Sequence, residues 1–366
     1  MYPTQAVIDR QALKDNLSFF RQQLGDTQPV PIVKSDAYGH GAAEATRAFA
    51  AAGARQCAVF RVDEALSLRE AGVDIPLWVL LGALPHEADR AVGQRLTLAV
   101  WSLEQARALH DAALRHHTVQ DIHLALDTGL GRLGFLPADL PRLLPQLAAL
   151  PALRITGAFS HMACAGQPDH PTTRQQLREL DALLPLLPPG CTQVHAYATA
   201  AILEHYQPIL PFARPGIGLY GLWPDGVQHP THTLTPALTF KSAIVSLKRL
   251  PAGAAISYGS SVVLSRDSLV AIAPVGYASG LPRILSRQCQ ALVRGRRVSA
   301  LGTICMDMTM FDLTDVPDAA IDDDIILIGR QGHEEITAWD LAHTAQTNAY
   351  EILCHIGMTQ PRTYIN

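Results

Sequence analysis

The sequence predicts an N-terminal (β/α)8 TIM-like barrel followed by a C-terminal, mostly β-strand domain, an α/β plus β class, and three observations carry that expectation. Up to about residue 220, eight short apolar runs alternate with Ala- and Leu-rich stretches that are apolar at helical spacing. From about Thr231 onward the helical spacing stops, and short apolar runs are separated by Pro, Gly and Asp turns. The chain has 366 residues, long for one domain and comfortable for two.

In chain order, the apolar runs cover 31–34, 56–60, 77–81, 96–100, 122–126, 155–160, 193–198 and 216–219. Eight strand-like runs with helical patterns between them fit a parallel barrel. The later runs, 238–247, 268–274, 290–294 and 324–328, supply the β domain. The joint is expected in GLWPDGVQHPTHTLTP, which is rich in Gly, Pro and His, giving domains 1–229 and 230–366.

Composition narrows the class of protein. Hydrophobic residues at 48% against 17% charged provide for a large core. A net charge of -4 gives no reason to expect nucleic acid or an anionic membrane as partner. No stretch reaches the roughly 20 apolar residues of a membrane helix, and the first residues show no basic-then-apolar leader, so a cytoplasmic protein is expected. The six cysteines are scattered without a CxxC pair, which argues against a disulfide framework and a zinc site, and no metal is expected.

Lys34 is the first residue that suggests chemistry. It closes an apolar run just before a Gly-rich turn, in PIVKSDAYGHG, and so belongs at the C-terminal mouth of a barrel, where active sites lie. A lysine in apolar surroundings is costly as a cation, and a Schiff base with a carbonyl cofactor would remove that cost. A lysine snorkelling from a strand end explains the same segment.

Beyond that segment, seven motifs occur in order along the chain: KSDAYGHG, LDTGLGRLGF, ARPGIGLYG, ISYGSSV, GYASGLPR, CMDMTMFDLTDV and AYEILCHIG. Together they resemble the alanine racemase family from near the start of the chain to its end. The resemblance implies a homodimeric isomerase that uses pyridoxal 5'-phosphate to interconvert L- and D-alanine, a small free amino acid whose D form is a peptidoglycan precursor. A serine or broad-specificity racemase is the alternative within the same chemistry. A related decarboxylase would show a Gly-rich phosphate loop and a C-terminal cysteine motif, which are not found, and a barrel-only, non-enzymatic cofactor carrier would lack the second domain.

The resemblance also assigns roles. Lys34 would carry the cofactor and serve as base on the D side, with Tyr258 as the opposing base on the L side. Tyr38, Thr199, Tyr350 and the backbone N–H groups of Gly216 and Ile217 would hold the phosphate. Arg214 would face the pyridine nitrogen, backed by His195, and His161 would stack on the cofactor and hydrogen-bond toward Tyr258. Arg132 and the Met306 amide would bind the substrate carboxylate, and Tyr258 and Met306 would reach the other subunit's barrel, so that each site is shared. Tyr277, Arg283, Thr303, Asp307 and Asn348 would line or support the substrate's approach. Read singly, each has a plainer explanation: Arg214 a surface ion pair, either histidine a satisfied core residue, Tyr258 and ProGlyIleGly parts of tight turns.

Some positions depart from the family pattern. Position 125, a carbamylated lysine in many members, is Ala125 here, so a buried Arg132 would need another counter-charge, with a bound anion such as chloride expected. An asparagine is lost at Tyr197-Ala198-Thr199, an acid is replaced by Ser279, an arginine of the approach by Thr303, and an apolar residue by Asn348. The catalytic pair is intact and the approach is altered, which bears on substrate choice rather than on reaction type.

Overall fold

The computed structural model describes residues 3–207, 209–224 and 234–366. The chain divides into two compact units: 13–37 with 42–235, and 1–12 with 38–41 and 236–366. The expected domain boundary between residues 229 and 230 lies outside the described residues.

The first unit is the barrel. Eight parallel strands follow one another around a sheet: Gln28–Pro29, Cys57–Val59, Leu77–Val79, Leu96–Val100, Gln120–Ala125, Leu153–Phe159, Gln193–Ala198 and Phe212–Arg214. The first pairs with the eighth at Gln28 and Phe212, and a bridge between Ile32 and Ala58 joins the first connection to the second strand. Strands such as Cys57–Val59 and Leu77–Val79 are buried at every residue, which is why they read as unbroken apolar runs rather than alternating ones. Helices such as Leu103–Arg115, capped by the Ser102 hydroxyl accepting from the Gln105 N–H, lie between them.

Two expected strands are displaced. The run at 31–34 is not the first strand, which lies at Gln28–Pro29; Lys34 instead opens the turn that follows. The run at 216–219 is not the eighth: that strand is Phe212–Arg214, and Ile217–Tyr220 is a buried 3-10 turn. Pro215 and Gly216 end the strand, and a short buried apolar run looks alike in either conformation.

The barrel interior departs from the aliphatic filling usual for this architecture. Trp78, Phe159 and Phe212 surround two buried histidines: His195 stacks on Trp78 at 4.4 Å and on Phe159 at 5.0 Å between ring centroids, and His123 meets Trp78 edge-on at 4.6 Å. Gly157, on the neighbouring sixth strand, leaves room for the His123 ring.

The second unit is built on a largely antiparallel sheet. Its strands run in the order Ser246–Leu250, Ser268–Ala273, Thr309–Asp312, Arg296–Leu301, Gln290–Val293, Asp324–Gln331, Leu238–Ala243, Gln5–Asp9 and Arg362–Ile365, with Glu334–Ile336 folded onto Asp324–Gln331. The N-terminal strand Gln5–Asp9 therefore belongs to this sheet, antiparallel to Leu238–Ala243 and parallel to Arg362–Ile365. A small hairpin, Ala255–Ile256 with Val262–Val263, stands apart and packs Ile256 against Leu264 and Val270. No helix of the described residues is long and apolar enough to cross a membrane.

Gly157→Ala should destabilise the barrel by about 1–3 kcal/mol, the cost of overpacking a filled core. Its Cβ would fall 2.6 Å from the His123 ring and against the Gln193 carbonyl. Chemical denaturation checks this, and an unchanged midpoint would mean that the ring has space to retreat.

Candidate active site

The strands are parallel, so residues just past their C-terminal ends gather at one mouth of the barrel. Lys34 follows the first strand, Arg132 the fifth, His161 the sixth and Thr199 the seventh; Arg214 ends the eighth, and Gly216 and Ile217 come after it. Sequence reasoning assigned each of these to the site, and the barrel brings them to the same end.

Lys34 is placed by an uncommon piece of backbone. Ser35, Asp36, Ala37 and Tyr38 all have φ near +53°, one turn of left-handed helix. Each non-glycine residue there costs about 1–2 kcal/mol, so the turn must be fastened. The Ser35 N–H donates to the Glu64 carboxylate at 2.6 Å, and Glu64 also accepts from the N–H groups of Phe60 and Arg61 at 2.8 and 2.9 Å. Asp36 accepts from the Ala42 N–H at 2.7 Å, tying the turn to the start of helix Ala42–Ala51. Glu64 and Asp36 are supporting residues that sequence reasoning missed. Asp and Gly in the motif were the available signal, since both tolerate positive φ.

Arg214 is buried, 4% exposed. Its Nη1 donates to the His195 carbonyl at 2.9 Å and also meets His195 Nδ1; its Nη2 donates to the Ser160 and Ala196 carbonyls at 2.8 and 3.3 Å and lies 3.3 Å from His161 Nδ1. Among the described residues no ion pair reaches it. Burial, with the Arg132 guanidinium nearby, pushes it down to about 9, so it remains a cation at neutral pH.

His161 is held neutral by its surroundings. Desolvation, then the charges of Arg214, Arg132 and Lys34, lowers it to about 3. Three cations thus crowd one neutral ring at the mouth. Behind Arg214, burial, Arg214 and His123 hold His195 well below the ordinary histidine range, and His123 falls to about 3, chiefly through burial. His123 was not singled out in the sequence; the alternation of inward positions along strand Gln120–Ala125 is the pattern that carries it.

Thr199 is buried, and its hydroxyl accepts from the N–H groups of Gly216 at 3.0 Å and Gly218 at 3.4 Å. The Ile217 N–H, at the first position of its turn, has no acceptor within that turn. Arg132 is exposed in the single chain, so the expectation of a buried guanidinium in need of a counter-charge does not hold there. Its loop is fixed through the backbone instead: Asp127 accepts from the N–H groups of Gly129, Leu130, Gly131 and Arg132 at 2.9 to 3.1 Å.

The remaining expected residues lie in the second unit. Tyr38 and Tyr350 touch, with centroids 6.0 Å apart, and burial pushes the Tyr38 hydroxyl above its ordinary value, with Tyr350 and Cys354 adding to it. Gly39, at φ +84°, lies so close to the Leu353 carbonyl that a Cβ would clash. Tyr258 sits at the tip of the small hairpin, 73% exposed, and Met306 is 54% exposed. Three loops meet around them: the Tyr277 N–H donates to the Cys305 carbonyl at 3.1 Å, Ile304 to the Ser286 hydroxyl at 3.1 Å, and the Thr303 hydroxyl to the Tyr258 carbonyl at 3.4 Å. Arg283 and Asp307 are exposed, and the Asn348 side chain caps helix Ala349–Thr359 by accepting from the Glu351 N–H at 3.0 Å.

Comparison with known proteins follows these lines. Residues 8–224 match the family model for the alanine racemase N-terminal domain, and residues 237–364 match that for the alanine racemase C-terminal domain. The chain is 38% identical to an alanine racemase of Halothermothrix orenii, over 100% of this chain and 97% of the relative. It is 37% identical to one of Syntrophobacter fumaroxidans, over 98% and 96%. Among solved structures, an alanine racemase from E. faecalis superposes with a TM-score of 0.92 at 30% identity, covering 100% and 98% of the two chains. One from a D-cycloserine-producing Streptomyces lavendulae gives 0.91 at 32%, with the same coverage.

The buried neutral histidines make stability depend on pH. Below about pH 6.5 the unfolded chain takes up protons that the folded His123 and His195 refuse, so stability is full above that pH and lost as pH falls. The slope should approach about 1.4 kcal/mol per pH unit for each histidine. Denaturant unfolding at pH 7.5, 6 and 5 measures it; a flat profile would show that these rings titrate as they do in the unfolded chain.

Proposed function

The chain belongs to the alanine racemase family and has its activity, the interconversion of L- and D-alanine, and we propose that Lys34 and Tyr258 are its two proton-transfer groups and pyridoxal 5'-phosphate its cofactor. The observation that carries this reading is the buried Arg214 guanidinium, 3.3 Å from His161 Nδ1 and bonded to backbone carbonyls, with no carboxylate paired to it among the described residues; the charges of Arg132 and Lys34 act on the same ring. Such a mouth is built for an anionic ligand.

The residues fit that cofactor. Thr199 and the Ile217 N–H would hold its phosphate at the end of the barrel where barrels bind phosphate. The proposal adds the hydroxyls of Tyr38 and Tyr350 on the strength of the motifs that carry them. Lys34 would bind the carbonyl carbon, which suits an amine fixed by a rigid turn. When bound, the cofactor supplies an electron-withdrawing conjugated system that acidifies the Cα–H of the substrate.

The protein's own groups then move the proton. Racemisation requires removal at one face of Cα and return at the other. Lys34 would serve one face and Tyr258 the opposite face. Arg214, a cation at neutral pH, opposes protonation of any base facing it. That keeps electron withdrawal modest and favours return of the proton to Cα. His161, neutral at pH 7, can accept or donate a hydrogen bond without adding charge. Arg132 and the Met306 N–H would take the substrate carboxylate.

A second copy of the chain would complete each site. Tyr258, Tyr277, Ile284, Met306 and Met308 are all large, apolar and exposed on loops of one unit. A surface of this composition supports an interface, and a two-fold dimer would bring Tyr258 of each copy to the barrel of the other.

Borohydride treatment of the cofactor-loaded enzyme should fix the label on Lys34 alone; peptide mapping that places it on another lysine would overturn the assignment.

Tyr258→Phe should abolish Cα proton exchange from L-alanine, by about 100-fold or more as for loss of a general base, while leaving part of the exchange from D-alanine. Equal loss from both enantiomers in deuterated water would point to a single base. Mixed with Lys34→Ala under conditions where subunits exchange, the same variant should regain activity; none would mean that the site is built within one chain.

A further inference from the structure

Arg214 is one end of a hydrogen-bonded chain that runs down the barrel interior. Its Nη1 meets His195 Nδ1; His195 Nε2 lies 2.9 Å from His123 Nδ1; His123 Nε2 lies 3.1 Å from Gln193 Oε1. His195 is 0% exposed and His123 2%. The chain can be read in one direction only. A guanidinium has donors and no acceptor, so His195 Nδ1 must offer its lone pair and carry its proton on Nε2. That proton needs an acceptor, which fixes the His123 lone pair at Nδ1 and its proton at Nε2, and the Gln193 carbonyl receives it. Had Gln193 presented its NH2 group instead, every bond would reverse and two N–H groups would face each other at Arg214.

We propose that His123 is a positioning residue for the racemase reaction: backed by Gln193, it accepts the Nε2–H of His195 and fixes that ring in place, and His195 in turn holds the Arg214 guanidinium in one orientation at the mouth. The inference rests on the reading of Arg214 as a group that faces the cofactor. The surroundings are shaped for the chain. Gly157 has no side chain where the His123 ring lies, and Trp78 and Phe159 flank His195, so neither ring can turn out of line without displacing an aromatic wall. Both imidazoles are kept neutral by burial, so each carries one N–H and one lone pair, as the chain requires.

The test compares His123→Phe, which keeps a ring and removes the acceptor, with His123→Asn, whose Oδ1 stands near the position of Nδ1. Proton–nitrogen NMR of 15N-histidine-labelled holoenzyme should show the His195 Nε2–H proton shifted downfield and slow to exchange in the unaltered enzyme and in His123→Asn, and moved upfield in His123→Phe, with Nδ1 unprotonated against Arg214 in all three. With this, kcat should fall about tenfold in His123→Phe, the effect of roughly 1.4 kcal/mol, with KM little changed, and recover in His123→Asn. An unshifted His195 Nε2–H signal or an unaltered kcat in His123→Phe would overturn the proposal, as would equal losses in both variants. Arg214→Gln, made in parallel, separates the two readings: full turnover there would remove the role of Arg214 itself, whereas loss there with an unaffected His123→Phe would remove only the role of His123.

Discussion

The constraint on which the barrel depends is a buried guanidinium that meets no carboxylate among the described residues. Arg214 is 4% exposed, and its positive charge is met by backbone carbonyls of Ser160, His195 and Ala196 and by ring nitrogens of His195 and His161. An unpaired buried charge is expensive, so its donors must all be answered by dipoles of fixed direction. The carbonyls lie around the C-terminal ends of strands six and seven, where the barrel geometry aims them. The imidazoles can help only while neutral, and burial keeps them so. The cost appears in the core: polar rings run down the barrel, and aromatic residues rather than branched aliphatics enclose them.

Leaving that charge uncompensated is also what gives the mouth its chemical character. With Lys34 and Arg132 nearby, the site presents positive charge around a neutral histidine. An anionic ligand bound there would supply counter-charge, and its binding would then be linked to stability. Burial and the Arg132 guanidinium bring Arg214 down to about 9, and it still remains a cation at neutral pH.

Strained backbone lies directly beside both Lys34 and Tyr258. Lys34 opens a left-handed turn of four consecutive non-glycine residues, fastened by Glu64 and Asp36. Tyr258 follows Ser257, whose φ of 65° and ψ of -179° fall in a region essentially reserved for glycine. There the Ser257 hydroxyl donates to the Thr303 carbonyl at 2.6 Å and holds the turn. In both places side chains answer backbone groups so that a costly conformation persists, and each places a reactive side chain at the end of a stiff segment.

The sequence by itself determined the class of fold and named residues that the barrel brings to one mouth. Apolar runs at 57–59, 77–79, 96–100 and 193–198 report burial on both faces, which is a property of the residues. Lys34 and Arg214 were legible because each lies in a contiguous motif. Tertiary structure decided the rest. The run at 216–219 became a 3-10 turn because periodicity over four residues does not separate strand from turn, and Pro215 had already ended the ladder. Arg132 lies exposed because what secures it is Asp127 reaching backbone N–H groups, an interaction with no apolar pattern to betray it. His123 and Gln193 lie 70 residues apart and meet only because strands five, six and seven are neighbours in a closed sheet. No local spacing encodes such a contact; it comes from the order in which parallel strands close around one axis, and that order places a hydrogen-bond acceptor opposite a donor from a distant part of the chain.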